Sequence, residues 1–76
     1  MTGSSEPVLV LDCLGRLCPM PVIELARALP SVPVGAVVEV LADDPAAGPD
    51  LAAWSRMRGQ ALESSDPPRF LIRRLA

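Results

Sequence analysis

The chain has 76 residues, a formal net charge of −2, two cysteines, no histidine, and only arginine among its seven cationic side chains. That excludes Schiff-base and P-loop lysine chemistry, removes the commonest general base, and leaves too few ligands for the usual Cys/His zinc sites. An acidic balance with one Phe, one Trp and no Tyr also speaks against a nucleic-acid-binding surface.

Half the residues are hydrophobic, so the composition is that of a folded domain and not of a disordered segment. The length suits one small domain, residues 7–76, preceded by a flexible tail over 1–6. The N-terminus has no positive charge and no apolar stretch after it, which predicts no signal peptide. No apolar run is long enough for a bilayer, so a cytoplasmic, reducing compartment with both cysteines as thiols is expected.

Val8 to Leu11 is short, β-branched and apolar, and predicts a buried strand. A loop with Gly15 inside it leads to Pro19 and Pro21, which open a helical pattern. Proline is tolerated in the first turn, where N–H groups have no intrahelical acceptor. Val22, Leu25, Ala26 and Leu29 form the apolar face of this helix, and Pro30 and Pro33 end it.

Ala36 to Ala42 predicts a second strand, with 36, 38, 40 and 42 on one face and Val37, Glu39 and Leu41 on a half-polar one. Asp43-Asp44-Pro45 stops it, and either Asp suits a cap for a helix starting at Ala46 or Asp50 and ending at Arg58. Leu51, Trp54 and Met57 or Arg58 share one side of that helix, and Gly59 suits the residue beyond its end. A final hairpin pairs Ala61–Ser64 with Arg69–Leu75 around an Asp66-Pro67-Pro68 turn, Phe70 and Ile72 pointing one way. The order is βαβαββ: an α/β (α+β) two-layer sandwich in which a four-stranded mixed sheet carries two helices packed on one face, with a right-handed first crossover.

Chemistry concentrates at Cys18-Pro19-Met20-Pro21. Cys18 falls at the loop-to-helix junction, as N-cap or just outside the first turn. Unpaired N–H groups and the positive end of the helix dipole favour a thiolate there. Arg16 adds a positive charge nearby. No base is evident, so the surroundings alone must activate the sulfur, which suits sulfur transfer better than hydrolysis. The other reading is that Cys18 is a small buried hydrophobe, as most cysteines are.

The run Asp12-Cys13-Leu14-Gly15-Arg16-Leu17-Cys18-Pro19-Met20-Pro21 closely resembles the signature of the TusA/SirA-like sulfur-carrier proteins. Val34-Gly35 before the second strand, Ala42-Asp43-Asp44-Pro45-Ala46 after it and the closing Arg69–Arg73 stretch agree with that likeness, which covers residues 8 to 74. The resemblance implies a sulfurtransferase acting as a carrier. Cys18 would accept sulfane sulfur as a persulfide from a cysteine desulfurase or a rhodanese-type donor and pass it to an acceptor protein. Acceptor pathways in the family include tRNA thiolation, molybdenum-cofactor maturation and sulfur oxidation. Pro19 and Pro21 would shape the turn and Gly15 would let the loop bend. The family fold resembles the C-terminal domain of a bacterial translation initiation factor, and no cofactor or metal is implied. Some relatives are linked to regulation, so a non-catalytic binding module is the alternative.

Other residues admit two readings each. Cys13, where the family commonly has a small non-thiol residue, is either a partly buried side chain or a disulfide partner for Cys18. Arg16 is either a docking charge or a solvated one, and Met20 is expected to lie exposed as an adaptable contact. Trp54 suits the core better than a docking surface. Arg69, Arg73 and Arg74 form either a basic strip or an ordinary charged edge strand. Asp43 and Asp44 suit a helix cap better than a site.

Overall fold

The computed structural model describes residues 6–76; residues 1–5 of the expected tail over 1–6 lie outside them. Strand β1 (Pro7–Asp12), helix α1 (Met20–Ala28) with a 3₁₀ turn over Leu29–Ser31, β2 (Val37–Leu41), α2 (Ala47–Arg58), β3 (Ala61–Asp66) and β4 (Arg69–Arg73) follow in the expected βαβαββ order. The sheet order is β1-β2-β4-β3, with β1 parallel to β2 and the other two pairings antiparallel.

Both helices lie on one face, and the core forms between them and the sheet. Leu25 and Leu29 from the first helical segment meet Ala47 and Leu51 from α2 over Val38, Val40, Phe70 and Ile72. Leu9 and Leu11 pack at its margin. Fully burying a side chain of Leu, Ile or Phe size is worth roughly 1.5–3 kcal/mol, so these few residues dominate the stability of so short a chain.

The structure corrects the expected pattern at several places. β1 is not buried: it is an edge strand whose side chains alternate, with Val8 and Val10 more than half exposed. Ala26 faces solvent and Pro21 is buried in its stead. On α2 the buried positions are Ala47, Leu51 and Ser55, while Met57 is 81% exposed. Trp54 is half-buried and packs against the core.

β4 lies between β2 and β3 and ends at Arg73, so it is no edge. Asp66 pairs with Arg69 as the last residue of β3, which leaves Pro67-Pro68 alone as the connection. The three arginines are not a free strip. Arg69 pairs with Glu39 at 2.9 Å, and Arg73 with Glu63 at 2.6 Å. Arg74 Nη1 donates to the carbonyls of Leu29, Pro30 and Val32, satisfying the end of the first helical segment. Beneath these pairs the outer face of the sheet buries Val37 and Leu71 as well.

Gly59, at φ +71°, ends α2 as expected, its N–H turned back to the carbonyl of Arg56 and that of Gln60 to Ser55.

Candidate functional site

Parallel pairing explains why the site is where it is. Asp12 and Leu41 end β1 and β2 side by side, so the loops that leave these two strands for α1 and α2 are neighbours in space. The first carries Cys18; the second carries Asp43 and Asp44 and leads into the first turn of α2, where Asp50 stands.

The first loop is built from short-range hydrogen bonds. Asp12 Oδ1 accepts from the N–H of Leu14, and the N–H of Arg16 donates to the Cys13 carbonyl, closing a tight turn. Gly15 occupies that turn at φ +78°, a conformation that costs any side chain strain. A second turn brings the Met20 N–H to the Leu17 carbonyl. Pro19 then takes the N-cap position, and no side chain caps α1. Cys18 stands one residue outside the helix, and its peptide bond to Pro19 is cis.

The second loop holds the first in place. Asp43 Oδ1 accepts the Gly15 N–H at 3.0 Å, and Asp44 Oδ2 accepts the Cys18 N–H at 3.0 Å. Asp44 Oδ1 also accepts the Ala46 N–H at 2.9 Å, and these two backbone donors hold its carboxyl below the ordinary carboxylate value. The N-cap of α2 is Ala46, with no side-chain cap. Asp43 and Asp44 therefore act as braces between loops and not as the helix cap expected of them.

The thiol itself is half-buried, and Cys18 Sγ donates to Asp50 Oδ2 at 2.5 Å. This reverses two expectations. A base is present, a carboxylate in direct contact with the sulfur. The thiol is also not predisposed to ionise: its pKa is pushed up to about 11 by the Asp50 hydrogen bond first, then by burial and the negative charges of Asp50 and Asp44. Two carboxylates outweigh a helix N-terminus whose proline-rich first turn offers few donors. Arg16 does not offset them; its guanidinium pairs with Glu24 on α1 at 3.2 Å.

Cys13 is fully buried at the end of β1, its N–H bonded to the Leu41 carbonyl at 2.8 Å. Both cysteines are free thiols, and burial is the main cause pushing the Cys13 pKa up. Pro21 is buried, Met20 half-buried in place of the exposure expected, and Pro19 exposed. Leu14 and Leu17 are exposed on the same loop, Leu17 at 76%, which gives the surroundings of Cys18 an apolar rim that the residue pattern alone did not single out.

Asp50 is the residue that sequence reasoning missed. Its one signal was a single acidic side chain in the first turn of α2, which reads equally well as favourable charge at a helix N-terminus.

Comparison with known proteins agrees with this architecture. Residues 9–74 match the family model described as sulfurtransferase TusA. The chain is similar to a "Putative sulfur carrier protein" of Archaeoglobus fulgidus, 33% identical over 72 residues that cover 90% of this chain and 99% of that one. It is also similar to "Putative sulfur carrier protein YrkI" of Bacillus subtilis, 41% identical over 58 residues, covering 75% and 77%. Among solved structures, the crystal structure of a SirA-like protein from Desulfitobacterium hafniense superposes with a TM-score of 0.69 at 29% identity, covering 86% of this chain and 92% of that one. With a family match that runs from β1 to just past β4, on a fold shared with a SirA-like protein, the chain belongs to the TusA sulfurtransferase family.

Proposed function

We propose that this protein is a cytoplasmic sulfur carrier that holds sulfane sulfur as a persulfide on Cys18 and relays it from a donor protein to an acceptor protein. The observation that carries the reading is the half-buried Cys18 thiol, presented at the surface on a braced loop with an apolar rim of Leu14 and Leu17. Gly15, Pro19 and Pro21 give that loop its shape.

In uptake, the Cys18 thiolate attacks the outer sulfur of a donor persulfide. The donor S–S bond breaks, the donor leaves as a thiolate, and the proton released from Cys18 ends on that thiolate. Delivery is the same exchange with the acceptor thiolate attacking. A cysteine desulfurase or a rhodanese-type protein suits the donor role. Exchange between a thiolate and a persulfide needs no metal or organic cofactor.

A second reading, a non-catalytic binding module, is favoured by the raised pKa of Cys18, which leaves little thiolate near neutral pH. Intact mass separates the two. Reduced protein incubated with a cysteine desulfurase and cysteine, or with a rhodanese and thiosulfate, is expected to gain one sulfur atom that reductant removes, while Cys18→Ser gains none. Absence of the gain with both donors leaves the binding module.

A further inference from the structure

The Cys18–Asp50 contact has a consequence for the carrier beyond its ability to hold sulfur. We propose that Asp50 is the gate of the sulfur site: it holds the unloaded Cys18 thiol protonated, and reaction begins when a partner brings positive charge to Asp50 and Asp44. This rests on the carrier reading for its biological use, but not for its test.

The geometry supplies the argument. Asp50 Oδ2 is the acceptor for the Sγ proton, and Asp44, which faces the same residue from the β2–α2 loop, accepts the Cys18 backbone N–H. Ionising Cys18 in place would set a third negative charge against two carboxylates and forfeit the hydrogen bond to one of them. The nearest cation on its own loop, Arg16, is engaged by Glu24 of α1. Facing Cys18, then, α2 contributes Asp50 and the second loop Asp44, both acidic.

A thiol is a poor nucleophile beside its thiolate, so a site held in this way resists alkylation, disulfide formation and oxidation while it waits. A guanidinium or ammonium laid against Asp50 takes over its lone pairs. That ends the thiol's hydrogen bond and offsets the repulsion that opposes a thiolate. The partner this selects carries an Arg or Lys beside its reacting sulfur.

The test uses reduced full-length protein and small probes, and needs no sulfur donor. Alkylation by iodoacetamide near neutral pH is compared for wild type, Asp50→Asn and Asp50→Ala, with modification sited on Cys18 by peptide mass. Full return of the thiol from about 11 to its ordinary 9.0 would raise the thiolate fraction roughly 100-fold, an upper limit for either variant because burial and Asp44 still oppose ionisation. The accompanying loss of intrinsic nucleophilicity leaves a net acceleration of up to about tenfold. Cystamine, a dication, is expected to outpace neutral hydroxyethyl disulfide on wild type, with the preference reduced in both variants.

Equal alkylation rates in wild type and both variants overturn the gate. So does a preference for cystamine that is the same in wild type and both variants, since the dication would then be reading some charge other than Asp50. If Asp50→Ala misfolds, the isosteric Asp50→Asn decides alone. Failure of the mass-gain experiment with the acceleration intact would refute the carrier and leave the gate standing.

Discussion

Asp44 binds the backbone N–H of Cys18 across 26 residues of chain, and with its other oxygen the N–H of Ala46. One carboxylate thus couples the loop that bears the thiol to the loop that starts α2. Its neighbour Asp43 does the same for Gly15. The position of the sulfur is consequently a property of two loops, and substitutions in the second are expected to be felt at the first.

That coupling has a pH signature. The folded-state pKa of Asp44 is lowered, by the Ala46 hydrogen bond first and the Cys18 one second, so its contribution is present above the ordinary value of 3.8 and is lost as pH falls through the lowered one. Glu63, lowered by Arg73 from 4.5, acts with the same sign. Wild-type stability, followed by denaturant midpoint from pH 5 downward, is expected to drop more steeply than that of Asp44→Asn. Parallel profiles would refute the brace.

The alkaline limb is unusually easy to read, because the chain has no Tyr, His or Lys. The two thiols are then the only side chains titrating between the carboxylates and the arginines. Cys18 has a raised folded-state pKa, so its contribution is complete below 9.0 and is lost as pH rises through about 11. Cys13 adds a loss of the same sign. Unfolding free energy should fall over that interval, and Cys18→Ser should fall less. An unchanged slope would mean that the hydrogen bond to Asp50 does not form in solution.

Cys13 is expected to matter for stability and not for sulfur loading. Its side chain is 1% exposed. Cys13→Ser buries a hydroxyl with no arranged partner and should cost about 1–3 kcal/mol, more than Cys13→Ala. Either variant should still gain a sulfur atom on Cys18. Loss of loading in a folded Cys13→Ala would make the second thiol a participant.

Gly15→Ala is expected to destabilise by about 1–2 kcal/mol, because the turn needs φ +78° and no neighbouring atom would obstruct the added methyl. Gly15→Asn should cost less, since Asn tolerates the left-handed region. Equal denaturant midpoints for wild type and Gly15→Ala would show that the turn can adopt another geometry.

Residue patterns were enough to place the elements in order, to put Cys18-Pro19-Met20-Pro21 on a loop, and to identify the family. Those features are local: alternation along Phe70–Ile72, proline at the start of α1, and glycine after α2 depend on residues a few positions apart. The assembled fold was needed to tell which strands are edges, since pairing order leaves no mark on a strand's own pattern. Thus Val8 and Val10 turned out exposed, and Arg69 and Arg73 lie on an interior strand. It also decided the state of the thiol. Asp50 lies 32 residues from Cys18 in the chain, and only the parallel pairing of β1 with β2 brings the two loops together, placing a carboxylate where a helix N-terminus alone would have favoured a thiolate.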